Sequence, residues 1–191
     1  MTTRRPARSH RLAALLLPLL LGCASSSYGA ADDWADAGGR EPEPAAMHSM
    51  ARLYVAQGRD ADAEATLRVL LASEPAFLPA WEELARLYVR RDLLDGAVAA
   101  LELGLREAPD DPVLLNDVGL CRLLQRDLPA AERAFVHASA AAPDDARPRS
   151  NLALALALQG RDEEALAVWQ QVLPPAQARA NLDMVAAARS R

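Results

Sequence analysis

At 191 residues the chain is long enough for one ordinary domain, and its 51% apolar but only 4% aromatic content is the composition of close-packed helices. All 21 Lys+Arg positions are arginine and are outnumbered by 26 Asp+Glu, for a formal net charge of −5, which argues against a general electrostatic hold on nucleic acid or anionic lipid. With two cysteines, Cys23 and Cys121, the chain has no disulfide framework.

The first 22 residues read as a secretory signal. Arg4, Arg5, Arg8 and Arg11 precede the apolar run Leu12 to Leu21, which Pro18 interrupts and which is too short to span a bilayer. Arg4-Arg5 also hints at twin-arginine export, but Pro6-Ala7-Arg8 lacks the apolar residues expected next. The stretch Leu20-Leu21-Gly22-Cys23 resembles the lipobox of bacterial lipoproteins. That resemblance implies cleavage before Cys23, acyl chains on its thiol and amine, and a membrane anchor made of lipid; the alternative is a plain signal peptide with an incidental cysteine. Several chains exceed the two-signal threshold for stable anchoring, each buried methylene adding roughly 0.8 kcal/mol. Loss of residues 1–22 removes four arginines and no acid, leaving 17 basic against 26 acidic residues and a formal charge of −9.

Residues 23–43 are expected to be a lipidated N-terminus and flexible linker, small, polar and ending in a Glu-Pro-Glu-Pro run that continues into Pro44. Trp34 is the misfit there: it is either a solvated linker tryptophan or a group that docks.

From residue 44 the sequence repeats every 34 positions. Pro75, Pro109 and Pro143 share one column, Ala63, Ala97, Ala131 and Ala165 a second, and Leu67, Leu101, Phe135 and Trp169 a third; Met50, Leu84, Val118 and Leu152 form a fourth, followed at once by Ala51, Ala85, Gly119 and Ala153. Large residues, small residues and prolines recurring together at one period mark stacked helix pairs. The junctions within pairs, Gly58-Arg59-Asp60, Arg91-Asp92, Arg126-Asp127 and Gly160-Arg161-Asp162, read as turns in which glycine supplies unusual backbone angles and aspartate caps the next helix. Prolines at 112 and 129 fall in first turns, where the missing N–H costs nothing.

The register resembles the tetratricopeptide repeat, a 34-residue helix-turn-helix unit. The second unit fits best, through Trp81, Leu84, Ala85, Tyr88, Ala97, Leu101 and Pro109. The resemblance implies an all-α fold, a right-handed α-solenoid of about four units (44–77, 78–111, 112–145 and 146–177) followed by a C-terminal capping helix and tail in 178–191, with helix expected over 176 to 189. Asn151-Leu152-Ala153-Leu154-Ala155-Leu156-Ala157-Leu158 alternates like a strand, but the register makes it the first helix of unit four. Leu152 and Leu156 then share one face, and Leu154 and Leu158 another.

In tetratricopeptide proteins the first helices of successive units line a concave groove. The positions that face it imply a client-binding surface made of Arg52, Arg86, Arg90, Asn116, Leu120, Leu123, Leu124, Asn151, Leu154 and Leu158, charged at one end and apolar at the other, with Glu82 and Glu83 beside the arginines. Such a groove suits an amphipathic helix or an extended segment. In the competing reading the C-terminal helix covers some of these leucines, Leu154 and Leu158 above all. With His48, Glu82, Asn116 and Ser150 at its fifth positions, the chain lacks the clamp that chaperone-tail-binding relatives use.

The sequence offers no basis for catalysis or for a cofactor. It contains no glycine-rich phosphate loop and no Gly-x-Ser-x-Gly elbow. His48 and His137 fall in different units without a third ligand at metal spacing, and Cys121 lies on the core side of its helix. The lipobox, the acidic tether, the four repeats, the segment 149–156 with Gln159-Gly160, and Leu173-Pro174-Pro175 followed by Ala178-Arg179-Ala180-Asn181-Leu182 together resemble the TadD-type tetratricopeptide lipoproteins of tight-adherence (Flp) pilus systems. That resemblance implies a non-enzymatic, pilotin-like assembly factor on the periplasmic side of the outer membrane, with the secretin or another pilus or secretion component as protein partner. The alternative is a general periplasmic scaffold that docks envelope enzymes or other complexes.

Overall fold

A computed structural model describes residues 43–190. The described residues form nine helices and no strand: α1 (Pro44–Ala56), α2 (Asp60–Ser73), α3 (Leu78–Arg90), α4 (Leu94–Glu107), α5 (Pro112–Leu124), α6 (Leu128–Ala141), α7 (Ala146–Leu158), α8 (Asp162–Trp169) and α9 (Pro175–Arg189). Each helix packs on the next in sequence as far as α9, which packs on both α7 and α8. The odd-numbered helices also meet one another, α1 with α3, α3 with α5 and α5 with α7, whereas the even-numbered helices do not. The stack therefore curves with its odd helices inside, giving an α-solenoid of four helix pairs.

The 34-residue columns are the points where neighbouring helices close. Ala63, Ala97, Ala131 and Ala165 are all fully buried, as are Leu67, Leu101 and Phe135. Size is traded between columns. Unit three carries the bulky Phe135 where units one and two have leucine, and it has Gly119 where they have alanine. A Cβ built on Gly119 would stand 2.4 Å from the Phe135 ring, so the glycine is required by the ring that fills its place. Pro174-Pro175 starts α9 at Pro175, so the boundary drawn between 177 and 178 falls inside this helix. The α9 side chains Ala178, Leu182 and Val185 complete a buried cluster with Ala153, Leu156, Ala157, Ala165 and Trp169 of unit four.

The four turns within pairs share one geometry, although the expectation of aspartate caps holds at only part of them. Gly58, Asp92, Arg126 and Gly160, each 34 residues from the last, all have positive φ, at 73°, 58°, 60° and 82°. In every case this residue donates its N–H to the carbonyl three back, and the residue after it donates to the carbonyl five back, the bonding pattern of a Schellman motif. Side-chain caps come from Asp111, Asp127 and Asp145, which accept N–H bonds at the starts of α5, α6 and α7. Asp60 and Asp162 do not cap. They lie inside the first turns of α2 and α8, where they face the positive helix end, and they pair with Arg90 of α3 at 2.6 Å and Arg189 of α9 at 2.7 Å. Asp92 occupies the left-handed position itself.

Two stability changes follow. Gly119→Ala should destabilise the fold by about 1–3 kcal/mol through overpacking, despite alanine's better helix propensity, and adding Phe135→Leu should restore most of the loss by recreating the pairing of units one and two; denaturant midpoints at constant slope measure both. Arg126→Gly should raise stability by roughly 0.5–1 kcal/mol, because a left-handed non-glycine residue costs about 1–2 kcal/mol and glycine returns part of that gain as unfolded-chain entropy.

Candidate protein-binding groove

The concave side is built from α1, α3, α5 and α7, each started by a proline, a capping aspartate or both. Its charged end is largely self-compensated. Arg86 bonds Glu82 and Glu83 at 2.7 Å each, with Glu83 buried, and Arg90 reaches over to Asp60 of α2. Arg52 is exposed and makes no ion pair among the described residues. His48 lies edge-on to Phe77, with ring centroids 5.5 Å apart, and burial lowers its pKa, although the Glu83 charge opposes the shift.

The middle of the groove is polar. Asn151 of α7 donates to the Asn116 Oδ1 of α5 at 2.8 Å, tying two units together across the concave face. Beside them, burial raises the Asp117 carboxyl above its ordinary range, only partly offset by a bond from Asn116 and by Arg86 and Arg147. Burial also raises Glu82; Arg86 opposes that shift while the charges of Asp117 and Asp111 add to it. Glu82 and Asp117 are thus two half-buried acids with raised pKa values, the Asp117 charge adding to the shift of Glu82. Glu82 falls among the expected groove positions. Asp117 lies outside the expected groove positions, although as the sixth residue of its unit it follows Asn116 in the same register.

The apolar end divides into two kinds of leucine. Leu120 and Leu124 are 37% and 56% exposed, an i, i+4 pair on α5 that points away from the core. Leu123 is half-buried against Ala131, Phe135 and Ala155. Leu154 and Leu158 are half-buried as well, packed against the cluster that α9 completes. The Cys121 thiol is buried, and desolvation with the nearby Asp117 charge pushes its pKa up to about 11, so at neutral pH it is a protonated, unreactive thiol. Cys23, the expected lipidation site, lies outside the described residues. None of the described helices is long and apolar enough to cross a membrane.

Comparison with known proteins gives the same fold. The tetratricopeptide repeat family matches residues 48–112 and 122–182. A cytochrome c-type biogenesis protein, CycH of Rhizobium meliloti, is 32% identical over 105 residues, covering 53% of this chain and 28% of the relative's own length. Among solved structures, a thermophilic tetratricopeptide protein of Thermus thermophilus superposes with a TM-score of 0.62 at 25% identity, covering 75% of this chain and 81% of that one. The tetratricopeptide protein YrrB, described as having an unusual peptide-binding site, gives 0.59 at 20% identity, covering 75% and 76%. Two family matches that take in most of the described residues, and a solenoid built on their 34-residue register, show that this chain belongs to the tetratricopeptide repeat family, whose members are in general non-enzymatic protein-binding scaffolds.

Proposed function

We propose that the chain is an envelope adaptor: acyl chains on Cys23 hold it at the periplasmic face of the outer membrane, and its concave groove captures one segment of a client protein for tight-adherence pilus assembly. The observation that carries the binding reading is the exposed pair Leu120 and Leu124, set beside the Asn116–Asn151 bridge and the acidic pair Glu82 and Asp117. Two apolar residues one helical turn apart offer anchorage to the apolar side of an amphipathic segment. The half-buried carboxylates, both raised chiefly by burial, with the Asp117 charge adding to the shift of Glu82 and the Asp111 charge to both, favour a client with an arginine or lysine next to its apolar anchors, since such a cation relieves both. Arg52, Arg86, Arg90, Asn116 and Asn151 form the polar wall, while Leu123, Leu154 and Leu158 make the floor. Tethering both partners at one membrane raises their local concentration, so the contact itself can be weak.

The resemblance of the signal, tether and C-terminal segment to pilus lipoproteins supports the pilus assignment and the secretin as client. The CycH relative favours a second reading, a scaffold that docks cytochrome c biogenesis proteins. Deletion separates the two. A secretin that mislocalises or fails to multimerise, with normal c-type cytochromes, is expected on the first; a normal secretin ring sinks it, and loss of c-type cytochromes establishes the second.

Leu120→Arg combined with Leu124→Arg should weaken capture of the client by about tenfold or more while the helical signal and melting temperature stay near wild type, because both positions are exposed. Photocrosslinking from position 120 in intact cells identifies the client, and a collapse of the melting transition would show that these leucines belong to the core. Capture should also weaken as the solution is acidified, because Glu82 and Asp117 take up protons at higher pH than ordinary carboxylates and then cease to attract a cation. Asp117→Asn should flatten that profile.

A further inference from the structure

The most exposed large apolar side chain among the described residues is Met184 of α9, at 66%. The helix buries Ala178, Leu182 and Val185 against unit four. At about 100° per residue, Met184 falls on the opposite half of the helix together with Ala176, Ala180 and Ala187, all of them exposed. Arg179 and Asp183, one turn apart, run along one flank of that half. Both are exposed, and neither forms an ion pair, with the other or with any further group among the described residues. Arg189 is differently placed: it bonds the Ala157 carbonyl of α7 and the Asp162 carboxylate of α8. Thus α9 commits one arginine to its own solenoid and turns a second, with an aspartate beside it, outward.

We infer that this outward face pairs with the same face of a second copy of the chain, the two α9 helices running antiparallel about a two-fold axis at residues 181–182. In such a pair each flank of one helix meets the same flank of the other, and residues equally far on either side of the axis meet. The pairs Arg179 with Asp183, Ala176 with Ala187 and Ala180 with Met184 are all centred on residues 181–182, so one axis serves all three. Each Arg179 then faces the partner's Asp183, twice over, and each Met184 lies over the partner's Ala180. Charge and size are exchanged by the same rotation, which is the self-complementarity that a two-fold interface requires and which favours a second copy over an unrelated protein. With 15 residues, α9 is about 22 Å long. A strip of that length buries less than the roughly 1,200 Å² of a stable complex, so the pairing is weak and reversible. None of its residues belongs to the groove, and the client reading is not involved.

The test uses the full chain in detergent with micelles in excess, as a mixture of isotopically light and heavy protein carrying a diazirine analogue of methionine in place of its methionines. Crosslinks from position 184 of one molecule to residues 176–184 of the other are expected between light and heavy protein. Arg179→Glu alone and Asp183→Arg alone should each cut their yield about fivefold or more, because each sets like charges against one another across the axis. Light Arg179→Glu mixed with heavy Asp183→Arg should restore the yield, since every charged contact across the axis is then between opposite signs; a variant that had lost its fold would not be rescued by mixing. Crosslinks from position 184 confined to one molecule, crosslinks to another part of the second copy, or a mixture that yields no more than the single variants would each overturn the inference.

Discussion

No helix pair in this chain can bury its own apolar face, and everything else in the structure follows from that. The surface left by α1 and α2 is closed by α3, that left by α3 and α4 by α5, and so to α9. At the junction of α4 with α5 the closure is a fit between one small and one bulky residue, since a Cβ added at Gly104 would stand 2.9 Å from Leu114. Stability is then a sum of units and junctions, and polar ties between units set the register more than they add energy. Arg91 to Glu64 and Arg161 to Glu132 are partly exposed pairs of the kind that contribute about 0–1 kcal/mol each.

The same dependence decides what was legible in the sequence. The prolines, alanines and large residues at 34-residue spacing fix the fold because they are the contacts of the stack, and a contact repeated four times leaves a repeated letter. The left-handed turn was legible at Gly58 and Gly160 but not at Arg126, whose side chain gives no sign of its backbone angle and which only the register exposes. Aspartate in these turns does not always mark a cap, because Asp60 and Asp162 sit one residue inside their helices, where their charge serves the helix end and an arginine of a later helix. Leu154 and Leu158 could not be resolved from the pattern alone. They pack against a cluster that α9 completes, and α9 lies outside the repeat and has no column to compare with.

The groove inherits its character from this arrangement. Where successive odd helices approach, carboxylates and amides of different units are brought together: Glu82 near Asp117, and Asn116 bonded to Asn151. These groups are far apart in sequence, so their electrostatic coupling appears only once the units are stacked. The acids and the exposed leucines on α5 are therefore not separate features. In the proposed binding role they are two sides of one surface, the acids facing a client's charge and the leucines its apolar side.

The odd helices touch their counterparts in the next unit and the even helices do not. The inner side thus acts as the spine of a book and the outer side as its page edges. Any change in the curvature of the solenoid would therefore be hinged at the contacts between odd helices, and the width of the groove would change with it.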